Sequence, residues 1–275
     1  MLSTELKSQI QGAYSRFLEA KSLKPRYGQR LMIAEIAKVL GAIKTDDEGR
    51  RLGDPAVVAV EAGTGTGKTV AYSLAAIPTA KAAGKRLVIA TATVALQEQI
   101  VHKDLPDLMR NSGLNFSFAL AKGRGRYLCL SKLDILLQEG QAQSATAQLF
   151  EEEGFKIDVD EQSQKLFTTM IEKLAGNKWD GDRDSWPEEL EDTRWSQLTT
   201  DHSQCTNRHC PNFQQCAFYK AREGMGKVDV IVTNHDMVLA DLALGGGAVL
   251  PDPRDTLYVF DEGHHLPDKA IDLFA

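Results

Sequence analysis

The stretch Val57-Val58-Ala59-Val60-Glu61-Ala62-Gly63-Thr64-Gly65-Thr66-Gly67-Lys68-Thr69 constrains the fold of this chain more than any other. A short β-branched run turns at once into a glycine-rich loop, and a helical apolar pattern follows. The order is strand, turn, helix. Ala62 to Thr69 fits a phosphate loop in which Ala62 replaces the first glycine. Glycines let successive backbone N–H groups wrap phosphate oxygens, Lys68 can neutralise the β and γ phosphates, and the Thr69 hydroxyl is placed for Mg²⁺ at the helix start. Ala62, Gly63, Thr64, Gly65, Thr66, Gly67, Lys68 and Thr69 are therefore candidate binding residues for ATP with Mg²⁺. A glycine-rich turn capping an ordinary helix is the plainer alternative.

Around this loop, β-rich and helical patterns alternate. Two helices are expected first, one through Leu6, Ile10, Tyr14, Phe17 and Leu18, the other through Leu31, Ile36, Ala37 and Leu40, with Pro25 to Arg30 as a connection. Strands are expected at 57–60, 87–91, about 116–121, 228–233 and 257–260, with a helix from about 94 to 100. Such alternation implies an α/β fold with a parallel sheet covered on both faces. The last strand ends in Asp261-Glu262-Gly263-His264. In a P-loop fold that strand end lies beside the phosphate loop, so Asp261 is expected to hold Mg²⁺ and Glu262 to orient and deprotonate the attacking water.

Between about Gly123 and Gly224 the rhythm stops, and Trp179, Trp186, Trp195 and all four cysteines fall in this stretch. An inserted, mainly helical domain is expected there. The domain boundaries drawn are 1–122 and 225–275 for the α/β domain and 123–224 for the insert. The insert also explains the charge. The chain carries a net charge of −6, which would ordinarily argue against a nucleic-acid partner. Residues 151–194 alone hold 14 acidic and 6 basic side chains, so the remainder is slightly positive. No apolar run reaches the roughly 18 residues of a spanning helix, and the N-terminus lacks a signal-peptide layout, so no membrane association and a cytoplasmic location are expected.

Cys129, Cys205, Cys210 and Cys216 are the only cysteines. Clustered thiols without a secretory signal read as metal ligands before disulfides. Their spacing suits an iron–sulfur cluster better than zinc, although zinc, with His202 or His209 nearby, and unligated thiols both stay open. Lys122, Arg124, Arg126 and Tyr127 interleave cations and an aromatic ring with two glycines. That pattern can grip phosphate and stack a base, or it can be a solvated basic loop.

Together the phosphate loop, the Asp261-Glu262-Gly263-His264 box and the four cysteines between them resemble the iron–sulfur DNA helicases of superfamily 2, the group containing XPD and the bacterial DinG helicases. The resemblance to the DinG type runs through Lys122-Gly123-Arg124-Gly125-Arg126-Tyr127-Leu128-Cys129, Lys178-Trp179-Asp180-Gly181, Thr233-Asn234-His235 and Asp261-Glu262-Gly263-His264-His265-Leu266-Pro267-Asp268. It implies a RecA-like P-loop NTPase domain and a [4Fe-4S] cluster on Cys129, Cys205, Cys210 and Cys216. The implied activity is ATP-driven 5′-to-3′ translocation on single-stranded DNA, with forked or displaced-strand DNA as substrate and a role in DNA repair.

The resemblance further implies that Gln29 recognises adenine, that Thr91 and Thr93 touch the single strand, and that His264 links the nucleotide site to DNA. The plain alternatives are a polar residue at a helix start for Gln29 and helix capping for the threonines. A monomer is expected, with single-strand DNA-binding protein as a partner. A helicase of this group continues into a second RecA-like domain that supplies an arginine finger, worth about 10³ to 10⁵ in rate. The expectation is that 275 residues alone hydrolyse ATP poorly and unwind nothing. Two other readings are a P-loop ATPase with a zinc-stabilised arm acting on a non-DNA partner, and a non-enzymatic DNA-binding module.

Overall fold

The computed structural model describes residues 2–48, 50–63, 65–147, 161–201 and 203–274; of the expected site residues, Thr64 lies outside the described residues, as do His202 and the acidic residues Glu151, Glu152, Glu153, Asp158 and Asp160. The chain divides into two compact units, residues 1–121 with 224–275 and residues 122–223.

The first unit begins with α1 (Thr4–Ala20) and α2 (Tyr27–Leu40). Ser3 starts α1 by accepting the Leu6 N–H on its hydroxyl, the usual N-cap device. Because α2 starts at Tyr27, Gln29 sits in its first turn rather than in the expected connection. A two-residue hairpin follows, β1 (Lys44–Thr45) against β2 (Arg51–Leu52). Then come α3 (Lys68–Ala82), β3 (Arg86–Thr91), α4 (Val94–Gln99), α5 (Leu105–Ser112) and β4 (Phe118–Leu120). The helix expected to end near residue 100 instead passes through a π-helical turn, Ile100–Asp104, into α5.

The second unit contains α6 (Leu130–Ala147), α7 (Glu161–Ala175), α8 (Asp192–Leu198) and most of α9 (Ala217–Met225), joined by short 3-10 turns. Its core gathers Phe167, Met170, Trp179, Trp186, Trp195 and Leu198. The Trp179 and Trp186 rings meet edge to face at 4.8 Å, the geometry favoured by ring quadrupoles.

The chain then returns to the first unit with β5 (Val230–Asn234), α10 (His235–Ala243), β6 (Thr256–Phe260) and α11 (Leu266–Phe274). The sheet order is β4-β5-β3-β6, and every pairing is parallel. Side chains alternate across it as a strand requires. Leu87, Ile89, Val230, Val232 and Leu257 pack towards α1, α2, α3 and α5, whereas Val88, Ala90 and Ile231 join Val238 and Leu250 on the opposite face. Both faces are covered, which is the condition for a parallel sheet.

One expected strand is corrected. Residues 57–60 form no ladder with any described strand. Val57 is 80% exposed and Val60 40% exposed, although Val58 packs on the core. β-branched residues favour extended backbone, but a strand exists only where a neighbour accepts its hydrogen bonds.

Candidate functional site

The glycine-rich loop enters α3 through Gly67, whose φ of +74° is left-handed, as is that of Gly65 at +78°. The left-handed conformation favours glycine here, and an added Cβ, 2.5 Å from the Gln29 Nε2 atom, would push that amide aside. Two neighbouring helices brace the loop. Arg26 Nη1 donates to the Gly65 carbonyl at 2.6 Å, and Gln29 Nε2 donates to the carbonyls of Thr66 and Gly67 at 3.3 and 3.2 Å. Tyr14 Oη donates to Gln29 Oε1 at 2.9 Å. Both ends of the Gln29 amide are thus engaged by protein, and its observed work is to hold the loop.

Lys68, the first residue of α3, reaches Glu262 Oε1 at 2.8 Å. Asp261 follows the end of β6, its N–H donating to the Ala90 carbonyl of β3 at 2.8 Å. Tyr72 Oη, one turn along α3, donates to Asp261 Oδ2 at 3.3 Å. Glu262 takes a left-handed φ of +54°, which is uncommon for a residue with a side chain. This kink turns its carboxylate to Lys68, while its other oxygen lies 3.4 Å from His264 Nδ1. His264 and His265 are exposed neighbours with rings 4.1 Å apart.

The two carboxyl groups are driven in opposite directions. Burial pushes Asp261 above the ordinary carboxylate range, a rise opposed by the Tyr72 hydrogen bond. The Lys68 hydrogen bond holds Glu262 below its usual value, and the same contact raises Lys68. One partly buried and one ion-paired carboxylate, both beside a lysine at the end of a glycine-rich loop, can divide metal binding and water activation between them. Tyr72 and Arg26 are the residues that the sequence did not single out. Tyr72 sits four positions after Lys68, the spacing that places two side chains on one helix face.

The expected strand contacts are placed differently. Thr91 is fully buried, and its hydroxyl donates to the Thr93 carbonyl. Thr93 is exposed and caps α4 by accepting the Leu96 N–H.

In the second unit, the basic side chains of the interleaved loop are paired within the protein. Lys122 Nζ is bound to Asp182 Oδ2 and Asp184 Oδ2 at 2.8 and 2.7 Å, and Arg126 pairs with Asp184. Arg124 stacks over the Phe218 ring at 4.2 Å and donates to Cys205 Sγ at 2.7 Å. Tyr127 is buried edge-on against Phe218. The carboxylates of the acidic stretch had no spacing signal linking them to this loop, so only tertiary contact reveals the pairing.

Cys129, Cys205, Cys210 and Cys216 are unpaired, half-buried thiols that line a single cavity. Ser131 Oγ is 3.1 Å from Cys210 Sγ, and the Asn207 N–H donates to Cys205 Sγ at 3.4 Å. Burial pushes the Cys129 thiol up, opposed by the N–H groups of Lys132 and Ser131. Among the described residues, no three His, Cys, Asp or Glu side chains are gathered closely enough to hold a single metal ion. Nor is any described helix long and apolar enough to cross a membrane.

Residues 42–148 match the DEAD/DEAH box helicase family. The chain is 43% identical over 273 residues to the ATP-dependent DNA helicase DinG of Photobacterium profundum, covering 99% of this chain and 37% of that protein. It is 39% identical over 272 residues to the ATP-dependent DNA helicase DinG of Escherichia coli K12, covering 98% of this chain and 36% of that one. It therefore spans little more than a third of the relatives' length. A solved XPD helicase aligns with 91% of this chain and 34% of its own at a TM-score of 0.45 and 18% identity.

Proposed function

We propose that this chain is the N-terminal motor part of a DinG-type ATP-dependent 5′-to-3′ DNA helicase, acting on single-stranded and forked or displaced-strand DNA. One observation carries the reading. Lys68 and Glu262 lie 194 positions apart in sequence and meet at 2.8 Å, which makes the phosphate loop and the strand-end carboxylates one site. The similarity to DinG helicases along nearly the whole chain supports the same conclusion.

In this reading Lys68 exchanges Glu262 for the β and γ phosphates of ATP, and the backbone N–H groups of residues 63–69 cradle them. Thr69 and Asp261 hold Mg²⁺, which supplies charge neutralisation at the phosphates. Glu262, released from Lys68, orients and deprotonates water. Gln29 keeps the loop in shape, and His264, in contact with Glu262, passes the state of the site towards DNA. Thr93, exposed at the start of α4, touches the single strand.

Cys129, Cys205, Cys210 and Cys216 hold a [4Fe-4S] cluster in the same reading. A tetrahedral zinc site draws thiolates to about 2.3 Å from one ion. Four thiols that line one cavity without gathering about a single ion suit a group with several metal atoms better than zinc, and Arg124 donates to one of them. When bound, the cluster ties together the start of α6 and the turns that carry the other three cysteines. The working form is a cytoplasmic monomer that cooperates with a second motor domain and with single-strand DNA-binding protein.

The test is ATP turnover by the longer protein with and without single-stranded DNA. Turnover should rise with DNA, and Lys68→Ala should lower it by about 10² or more. A turnover indifferent to DNA overturns the helicase reading.

A further inference from the structure

His235 opens α10, directly after Asn234, whose side chain caps that helix by accepting the Met237 N–H at 2.8 Å. Its imidazole is fully buried and lies edge to face with Phe260 at 5.8 Å. Nε2 is 2.9 Å from the Asp261 carbonyl oxygen, while Nδ1 is buried with no hydrogen-bond partner. A carbonyl can only accept, so Nε2 carries the proton; the Ala90 carbonyl also faces the ring.

The target of that bond is the Asp261–Glu262 peptide, held at both its polar atoms, and the peptide before it is held as well. The Asp261 N–H is taken by Ala90, and the carbonyl of the same residue is taken by His235. The Glu262 N–H, on the other end of that peptide, donates to Asp261 Oδ1 at 3.1 Å. The plane clamped by His235 therefore sets both the Asp261 carboxylate and the left-handed entry into Glu262. The histidine is itself anchored. Lys269 of α11 pairs with Asp236 at 2.7 Å, beside it on α10.

We propose that His235 is a positioning residue for the metal-binding carboxylate: its Nε2–H holds the Asp261 carbonyl and so aims the Asp261 and Glu262 side chains without touching nucleotide or metal. The proposal rests on the reading of Asp261 as the Mg²⁺ ligand. Outer partners that orient a ligating group typically change metal affinity about 10- to 100-fold when removed.

The experiment uses the 275-residue chain, a nonhydrolysable ATP analogue and Mn²⁺ as the paramagnetic probe. His235→Leu keeps bulk and removes the donor, whereas His235→Gln restores an N–H. Expected for His235→Leu is a fall of about tenfold or more in Mn²⁺ affinity of the nucleotide-loaded protein, with nucleotide binding in EDTA unchanged. His235→Gln should recover most of the loss. Unchanged Mn²⁺ affinity in His235→Leu overturns the proposal. So does a parallel loss of metal-free nucleotide binding, or a folded Gln variant that recovers nothing.

Asp261→Asn separates the two readings. If it retains Mn²⁺, the ligand assignment fails; if it loses Mn²⁺ while His235→Leu does not, only the positioning role fails. Should His235→Leu not fold, ¹⁵N correlation spectra of the wild type decide. An Nε2-protonated ring with a hydrogen-bonded proton upholds the clamp, and an Nδ1-protonated ring overturns it.

Discussion

Lys68 and Glu262 show how a single residue pair stores a ready state. The ion pair lies partly exposed, with about a quarter to a third of each side chain open to solvent, so its worth is modest and its effect is chiefly on ionisation. The Glu262 value in the folded chain lies below its ordinary 4.5. Its contribution is therefore complete above that ordinary value and is lost as pH falls through the lower folded value. Lys68→Met should raise the Glu262 titration midpoint, followed by carboxyl ¹³C shifts; a midpoint that stays put would show that Lys68 is not its partner. The residue types of this site were legible in the sequence because a phosphate loop uses glycine, lysine and threonine at set spacings. Tyr72, Arg26 and the His235 contact were not, since each acts through one long-range contact that leaves no local pattern.

Among the elements, the turn between α10 and β6 depends on one buried acid. Asp241, 1% exposed, accepts N–H bonds from Gly247, Val249 and Leu250 on its two oxygens. Asp241→Ala would leave these donors unpaired beside Leu250, a loss of about 3 kcal/mol for charge-assisted bonds of this kind. The outcome to look for is amide exchange at Gly247, Val249 and Leu250 accelerated by about 100-fold. Exchange as slow as in the wild type would show that the loop holds itself. Helices α1 and α2 and strands β3, β5 and β6 followed their periodicity closely, because one face or both must be apolar to pack. The run at 57–60 did not become a strand, because pairing is a property of two segments and composition describes only one.

At the scale of the molecule, every candidate nucleotide-site residue lies in the first unit and all four thiols in the second. Cys205→Ser should therefore abolish iron uptake, read by visible absorption and iron content after anaerobic purification, while MgATP binding that depends on Lys68 persists. Iron retained at the wild-type level would contradict the four-cysteine set. The −6 net charge also takes its place at this scale. Acidic residues of the second unit neutralise its own basic loop, with Asp182 and Asp184 on Lys122 and Arg126. By itself the sequence determined the parallel α/β alternation, the glycine-rich loop that leads into a helix, the acidic strand end and a cysteine-bearing stretch between them, because each is encoded by near neighbours or by a repeating period. The tertiary structure alone decided which cations are spent internally, that Tyr127 and Thr91 are buried, and that His235 holds Asp261. Those outcomes depend on which distant side chains the packed fold brings within hydrogen-bond distance, and chain order does not record it.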